Sequence, residues 1–274
     1  MTNKIRKPIV AGQFYTANPH KLEMEIDNYL KNVKLEKEYD NIFAIISPHA
    51  GYVFSAQTAA YGFKCLQGKQ FGTVIVIAPS HNPIEFSISV CDCDYYQTPL
   101  GDIPVDKKIM GKLLKSDIIG YSEIAHKREH SLEVQLPFLQ MVLTDFKLVP
   151  ILIGYQSLET SRNLAEILYL TLKDMKNKFL FVISTDLSHY HSAETAKVLD
   201  DKVIDAVKKM DAELLEDYIR SGKAEACGYG CVETGIMLAE KFGIGNVDIL
   251  NYSHSGMIFG DYAQVVGYLS AVFY

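Results

Sequence analysis

The chain has 274 residues, 48% hydrophobic and 22% charged, which is ordinary globular usage and enough length for a sizeable core, so extended disorder is excluded. A net charge of −6, with no Lys/Arg cluster interleaved with aromatics, leaves no electrostatic footprint for nucleic acid. No apolar stretch approaches the roughly 20 residues of a membrane helix, and the basic start Met1–Lys7 runs into Pro8 without a signal-peptide core.

A soluble cytoplasmic protein is therefore expected, without nucleic-acid or membrane partners. The first predicted strand covers 42–47, followed by a helix from about Ser55, with Ser55 as N-cap and Ala56, Ala59, Ala60 and Phe63 toward a sheet. A strand at 73–78 comes next, then one near 86–92 with the alternation of a half-exposed element. A helix is predicted near 106–115. Ser131 opens a capping-box segment that Pro137 must kink or restart. Strand 147–153 precedes a helix near 157–175 whose Leu164, Ile167, Leu168 and Leu172 recur at helical spacing. Strand 179–184 follows, then helices near 193–209 and 211–221, the first with Val198, Val203 and Val207 inward. A helix from about Cys231 and strands near 247–253 and 263–272 complete the chain. Strands alternating with helices predict an α/β fold: a single domain, residues 1–274, with a mixed, mostly parallel central sheet and helices on both faces.

Three of the apolar runs stop and are followed within a few positions by a histidine: Ser47-Pro-His49, Ala78-Pro-Ser-His81 and Ser184-Thr-Asp-Leu-Ser-His189. Ligands of open α/β sheets bind beyond the carboxyl ends of the strands, so these imidazoles point to one polar site. Asp186 and His189 are three residues apart and would share a face of a helical turn. Asp186 could orient an imidazole, ligate a metal, or simply cap the turn. His130 and Glu133 stand at a predicted helix start, where capping accounts for Glu133 and leaves His130 open.

The five cysteines are odd in number and irregularly spaced, unlike a disulfide framework, and Cys65, Cys91 and Cys93 are expected to be reduced. Cys227 differs because Cys227-Gly-Tyr-Gly-Cys231 precedes a predicted helix, where the dipole stabilises a thiolate. A metal ligand, a reactive thiol or a small buried residue all suit that place, and Cys231 has no assigned role. No Walker A pattern, dinucleotide fingerprint, His-Glu-x-x-His or nucleophile elbow is present.

Taken together, Arg6–Tyr15, Ser47–Tyr52, Ala78–His81, Glu129–Pro137, Ser184–His189 and Ala226–Gly228 resemble the Memo family, also known as AmmeMemoRadiSam system protein B. The resemblance spans essentially the whole chain. It implies a fold similar to the LigB-type class III extradiol dioxygenases, which hold non-haem Fe(II) with two histidines and a glutamate. It also implies a metal site of two histidines and a cysteine, at His49, His81 and Cys227, with Asp186 and His189 lining the cleft and His189 in the acid–base place. Thiolate in place of carboxylate softens the site toward copper, with zinc also compatible, so ring cleavage does not carry over from the fold.

The reading placed first is a metal-dependent redox or oxygenase-like enzyme using iron or copper, with unknown substrate. The alternatives are a phosphotyrosine-peptide binding module, which lacks an evident Arg cluster, and an accessory partner of a radical S-adenosylmethionine enzyme. This chain has no Cys-x₃-Cys-x₂-Cys motif of its own. Oligomeric state is not legible.

Overall fold

The β-branched runs lie side by side because strands covered on both faces have no polar side. In the computed structural model, which describes residues 3–82, 85–175 and 178–274, the chain begins with β1 (Ile5–Arg6), α1 (Pro19–Lys31), β2 (Ala44–Ser47), α2 (Tyr52–Lys64) and β3 (Thr73–Pro79). Next come β4 (Ile88–Val90), β5 (Tyr95–Thr98), β6 (Gly101–Pro104), α3 (Lys107–Leu113), β7 (Ile119–Tyr121) and α4 (Glu123–Lys127). A 3-10 turn, Glu133–Gln135, leads into α5 (Leu136–Val142), β8 (Lys147–Ile153), α6 (Leu158–Leu172), β9 (Phe179–Ser184) and β10 (Asp186–His191). The remainder is α7 (Ala193–Lys209), α8 (Ala212–Arg220), α9 (Tyr229–Lys241), β11 (Val247–His254), α10 (Gly256–Phe259) and β12 (Val265–Phe273).

The main sheet has the order β10-β12-β2-β9-β3-β8-β4-β7, with β11 along the other edge of β12. Its centre, β2-β9-β3-β8, is parallel, and β12 and β4 join it antiparallel. This is the mixed α/β sheet the sequence predicts. Helices cover both faces. A Cβ added to Gly62 of α2 would meet Ile45, and one added to Gly235 of α9 would meet Ile183. Ile45 pairs with Val182, so Ile183 points to the opposite face. A smaller sheet, β1-β5-β6, packs beside it and carries the N-terminal segment toward the site.

Several elements differ from expectation. Helix α1 was not anticipated, although Asn18 caps it through Lys21 and Pro19 occupies its first turn. Gly51, not Ser55, is the N-cap of α2, and the Ser55 hydroxyl donates to Ala50 O at 2.9 Å. Strand β4 is short and buried rather than half-exposed: Ile88, Ser89 and Val90 are all buried, so both of its faces are covered. Val198 is exposed instead of inward. Cys91 and Cys93, expected as free thiols, are paired in a disulfide with Cα atoms 5.3 Å apart. Pro137 restarts the helix as α5 after the 3-10 turn. Among the described residues no helix is long and apolar enough to cross a membrane.

Candidate metal centre

Because β2, β9 and β3 are parallel neighbours, their carboxyl ends share one edge, and the loops carrying His49 and His81 flank the end of β9 at Ser184. His49 is buried. Its Nδ1 lies 2.8 Å from Ser184 Oγ, which also accepts from Gln135 Nε2 at 2.9 Å and donates to Ser131 O at 2.7 Å. A hydroxyl has one proton to give, and Ser131 takes it. His49 Nδ1 must therefore carry a hydrogen, which leaves Nε2 as a bare lone pair. Burial holds the His49 imidazole well below its ordinary pKa, and the neighbouring His130 and His81 add to this.

His81 is oriented in the same way by a carboxylate. Its Nδ1 lies 2.8 Å from Glu129 Oε1, and its backbone N–H donates to Glu129 Oε2 at 2.6 Å. Burial alone would raise the Glu129 pKa, but the hydrogen bonds and charge of His81 prevail and bring it down to about 2. The Glu129 hydrogen bond raises the His81 pKa against the burial that lowers it. Once the ring is neutral, the ionised acceptor keeps the proton on Nδ1 and leaves Nε2 free, the usual arrangement behind a metal-ligating histidine. The same Glu129 accepts the backbone N–H of His130 at 3.0 Å. His130 stacks on His81 with ring centroids 4.6 Å apart and packs against Phe14. One ring nitrogen each from His49, His81 and His130 lie within 4.8 Å of one another.

Cys227 reaches the site from the other side. Its Sγ lies 3.1 Å from His49 Nε2 and accepts the Asp186 N–H at 3.2 Å. With Nε2 unprotonated, the thiol is the donor in the first contact. Burial pushes its pKa up, so the free protein holds a thiol rather than the thiolate that a helix N-terminus alone would favour. Gly228 sits where a Cβ would be 2.4 Å from Ser184 O, so this close approach of the Cys227 loop to β9 requires glycine.

Asp186 and His189 take places the sequence did not foresee. They lie on strand β10, paired with β12, rather than on a helical turn. Asp186 Oδ1 accepts the backbone N–H of His49 at 2.7 Å, and burial raises its pKa to about 7 against the pull of the His49 and Ala50 N–H groups. Its carboxylate thus anchors the His49 loop, and no described hydrogen bond joins it to His189. His189 is half-buried, close enough to depress His49 further, and burial lowers its own pKa against the opposing Glu225 carboxylate. Tyr190 follows at φ 62°, a left-handed conformation costly for a bulky side chain, where the β10 register breaks.

The structure brings His49, His81, Cys227, Asp186 and His189 to one edge and adds His130, Glu129 and Ser184. Glu129 and Ser184 carried no sequence signal beyond a polar residue at a loop or strand end. Ser131 does not cap a helix but donates to Pro79 O at 2.7 Å. Glu133 is not a cap either. It is fully buried, pairs with Arg6, and accepts from Tyr15 Oη at 2.6 Å and from the Val10 N–H at 3.1 Å. The donor set suits a transition metal: His49 and His81 with their Nδ1 atoms already committed, and a thiol that a bound cation would deprotonate.

Residues 6–272 match the Memo-like protein family. A MEMO1 family protein of Archaeoglobus fulgidus is 37% identical over 269 residues, covering 98% of this chain and 99% of the relative. One from Methanosarcina barkeri is 35% identical over 269 residues with the same coverage. A third, from Thermotoga neapolitana, is 36% identical over 281 residues, again covering 98% of this chain and 99% of the relative. The chain belongs to the Memo-like protein family.

Proposed function

We propose that the cleft at the carboxyl edge of β2, β9 and β3 holds a transition metal, iron or copper, and serves redox chemistry on a substrate still to be found. The observation that carries this reading is the matched preparation of His49 and His81. Each has Nδ1 tied to a buried oxygen, and His49 presents Nε2 to the Cys227 sulfur at 3.1 Å. His49, His81 and Cys227 would hold the ion, with His130 beside them as a further nitrogen donor. A bound iron or copper ion would supply one-electron chemistry and Lewis acidity.

The chain's own residues supply the rest. Asp186 fixes the His49 loop through its backbone N–H. His189, whose burial keeps the imidazole neutral, can accept a proton at the rim of the site. The buried side of His49, the Glu129 loop and the β9 end exclude water from beneath the donors. Cys227 adds an oxidisable sulfur, which makes the site sensitive to the state of the protein before metal loading.

Metal analysis of protein prepared without chelator is expected to find near-stoichiometric iron or copper. A His49→Ala/His81→Ala double variant should lose it. Retention of the metal in that variant would overturn the assignment.

A further inference from the structure

Glu129 belongs to no helix or strand: α4 ends at Lys127 and the 3-10 turn starts at Glu133. Yet the residue is only 1% exposed and gathers donors from two separate loops. Oε2 accepts the His81 backbone N–H at 2.6 Å and the Asn82 side-chain amide at 3.2 Å. Oε1 lies 2.8 Å from His81 Nδ1 and accepts the His130 and Ser131 backbone N–H groups at 3.0 Å each.

We propose that Glu129 is the positioning residue of this centre: one carboxylate sets the tautomer of His81 and the placement of His130, so that both loops act as a single donor unit. The inference rests on the metal-site reading above.

A residue that only filled a buried space and accepted hydrogen bonds could be exchanged for its isosteric amide at modest cost. Here both oxygens face donors, so an amide NH₂ has no place to point. With the NH₂ at the Oε1 position, it opposes the His130 and Ser131 backbone N–H groups, which cannot invert, so their loop must shift, and it also meets His81 Nδ1. The ring can answer only by accepting there, which moves its proton to Nε2 and blocks the nitrogen a metal would use. With the NH₂ at the Oε2 position, it opposes the His81 backbone N–H, which cannot invert, and the loop must shift. Aspartate is one methylene shorter and cannot span the same two loops.

The test compares the wild-type protein with Glu129→Gln, both metal-free, by ¹⁵N chemical shifts of the histidine side chains at alkaline pH, where the rings are neutral. Zn²⁺ affinity is measured alongside by chelator competition. His81 in the wild type is expected as the Nδ1–H form, shifting toward Nε2–H in Glu129→Gln, with Zn²⁺ binding weakened by about 10–100-fold. A wild-type His81 in the Nε2–H form would overturn the proposal without reference to any variant, so a poorly folding Glu129→Gln cannot rescue it. Equal Zn²⁺ affinity of the two proteins would also overturn it. If the wild type binds no Zn²⁺ but its His81 is Nδ1–H and changes in Glu129→Gln, the metal reading fails while the positioning role stands.

Discussion

His49 Nδ1 sits 2.8 Å from the Ser184 hydroxyl, and this contact decides which nitrogen of His49 meets Cys227. Ser184 gives its only proton to Ser131 O, so His49 must donate and its Nε2 is bare. Ser184→Ala removes the acceptor and frees the ring to adopt either tautomer. It also leaves a buried imidazole N–H and the Ser131 carbonyl without partners. Stability should fall by about 1–3 kcal/mol, and metal affinity should fall with it. Chemical denaturation and Zn²⁺ titration of the same preparation check both. A variant that loses stability but binds metal as tightly as wild type would show that the tautomer is fixed by something other than Ser184.

Cys227 and His130 compete for the third donor place, since Cys227 touches His49 while His130 stacks on His81. A thiolate ligand gives sulfur-to-metal charge-transfer absorption, which imidazole does not. The Co²⁺-loaded wild type is expected to show that band, Cys227→Ser to lack it, and His130→Ala to keep it. A band absent from the wild type would instead make His130 the third ligand.

Arg6 and Glu133 form a pair with side chains 5% and 0% exposed. Arg6 also donates to His126 O at 2.9 Å and to Glu129 O at 2.6 Å, so the pair fastens the N-terminal segment under the loop that carries His130. Removing one charge strands the other in a buried place. Glu133→Gln should therefore cost about 3–5 kcal/mol in denaturant unfolding. A loss below about 1 kcal/mol is what an exposed pair would give, and would contradict the burial.

How much of this was legible in the sequence follows from which contacts are local. Strands β8 and β9 match the predicted 147–153 and 179–184 because both faces are buried and the apolar run is uninterrupted. His49 and His81 stood out because each follows a strand end and lies close to proline, and parallel strands place such ends together. Glu129 and His130 did not, since their place beside His81 is made by a loop that returns from 48 residues along the chain. Strand β10 was misread as a helical turn because its pairing with β12 is wholly non-local. Val198 was turned inward because the buried stripe of α7 contains a carboxylate: Asp200 takes the Tyr252 hydroxyl at 2.8 Å and the Ser188 N–H at 2.9 Å. An apolar periodicity cannot register that residue, and the predicted face rotates away from the true one.

A buried acid, Glu233, lies on α9. Its Oε2 accepts from Ser161 Oγ at 2.7 Å, while its Oε1 has no hydrogen-bond donor among the described residues. Burial raises its pKa to about 8; the Ser161 hydroxyl opposes the shift, and the nearby Glu216 carboxyl adds to it. The folded protein therefore keeps a proton that the unfolded chain releases in the ordinary carboxylate range. In that window the native state binds more protons, so stability falls as pH rises. The contribution is complete below about pH 4.5 and lost by about pH 8. Glu233→Gln carries a permanent neutral isostere and removes this slope. Thermal midpoints measured from mildly acidic to mildly alkaline pH should show the wild type declining relative to Glu233→Gln. Parallel curves for the two proteins would mean that Glu233 ionises in the folded state as easily as in water, and that a donor reaches its Oε1.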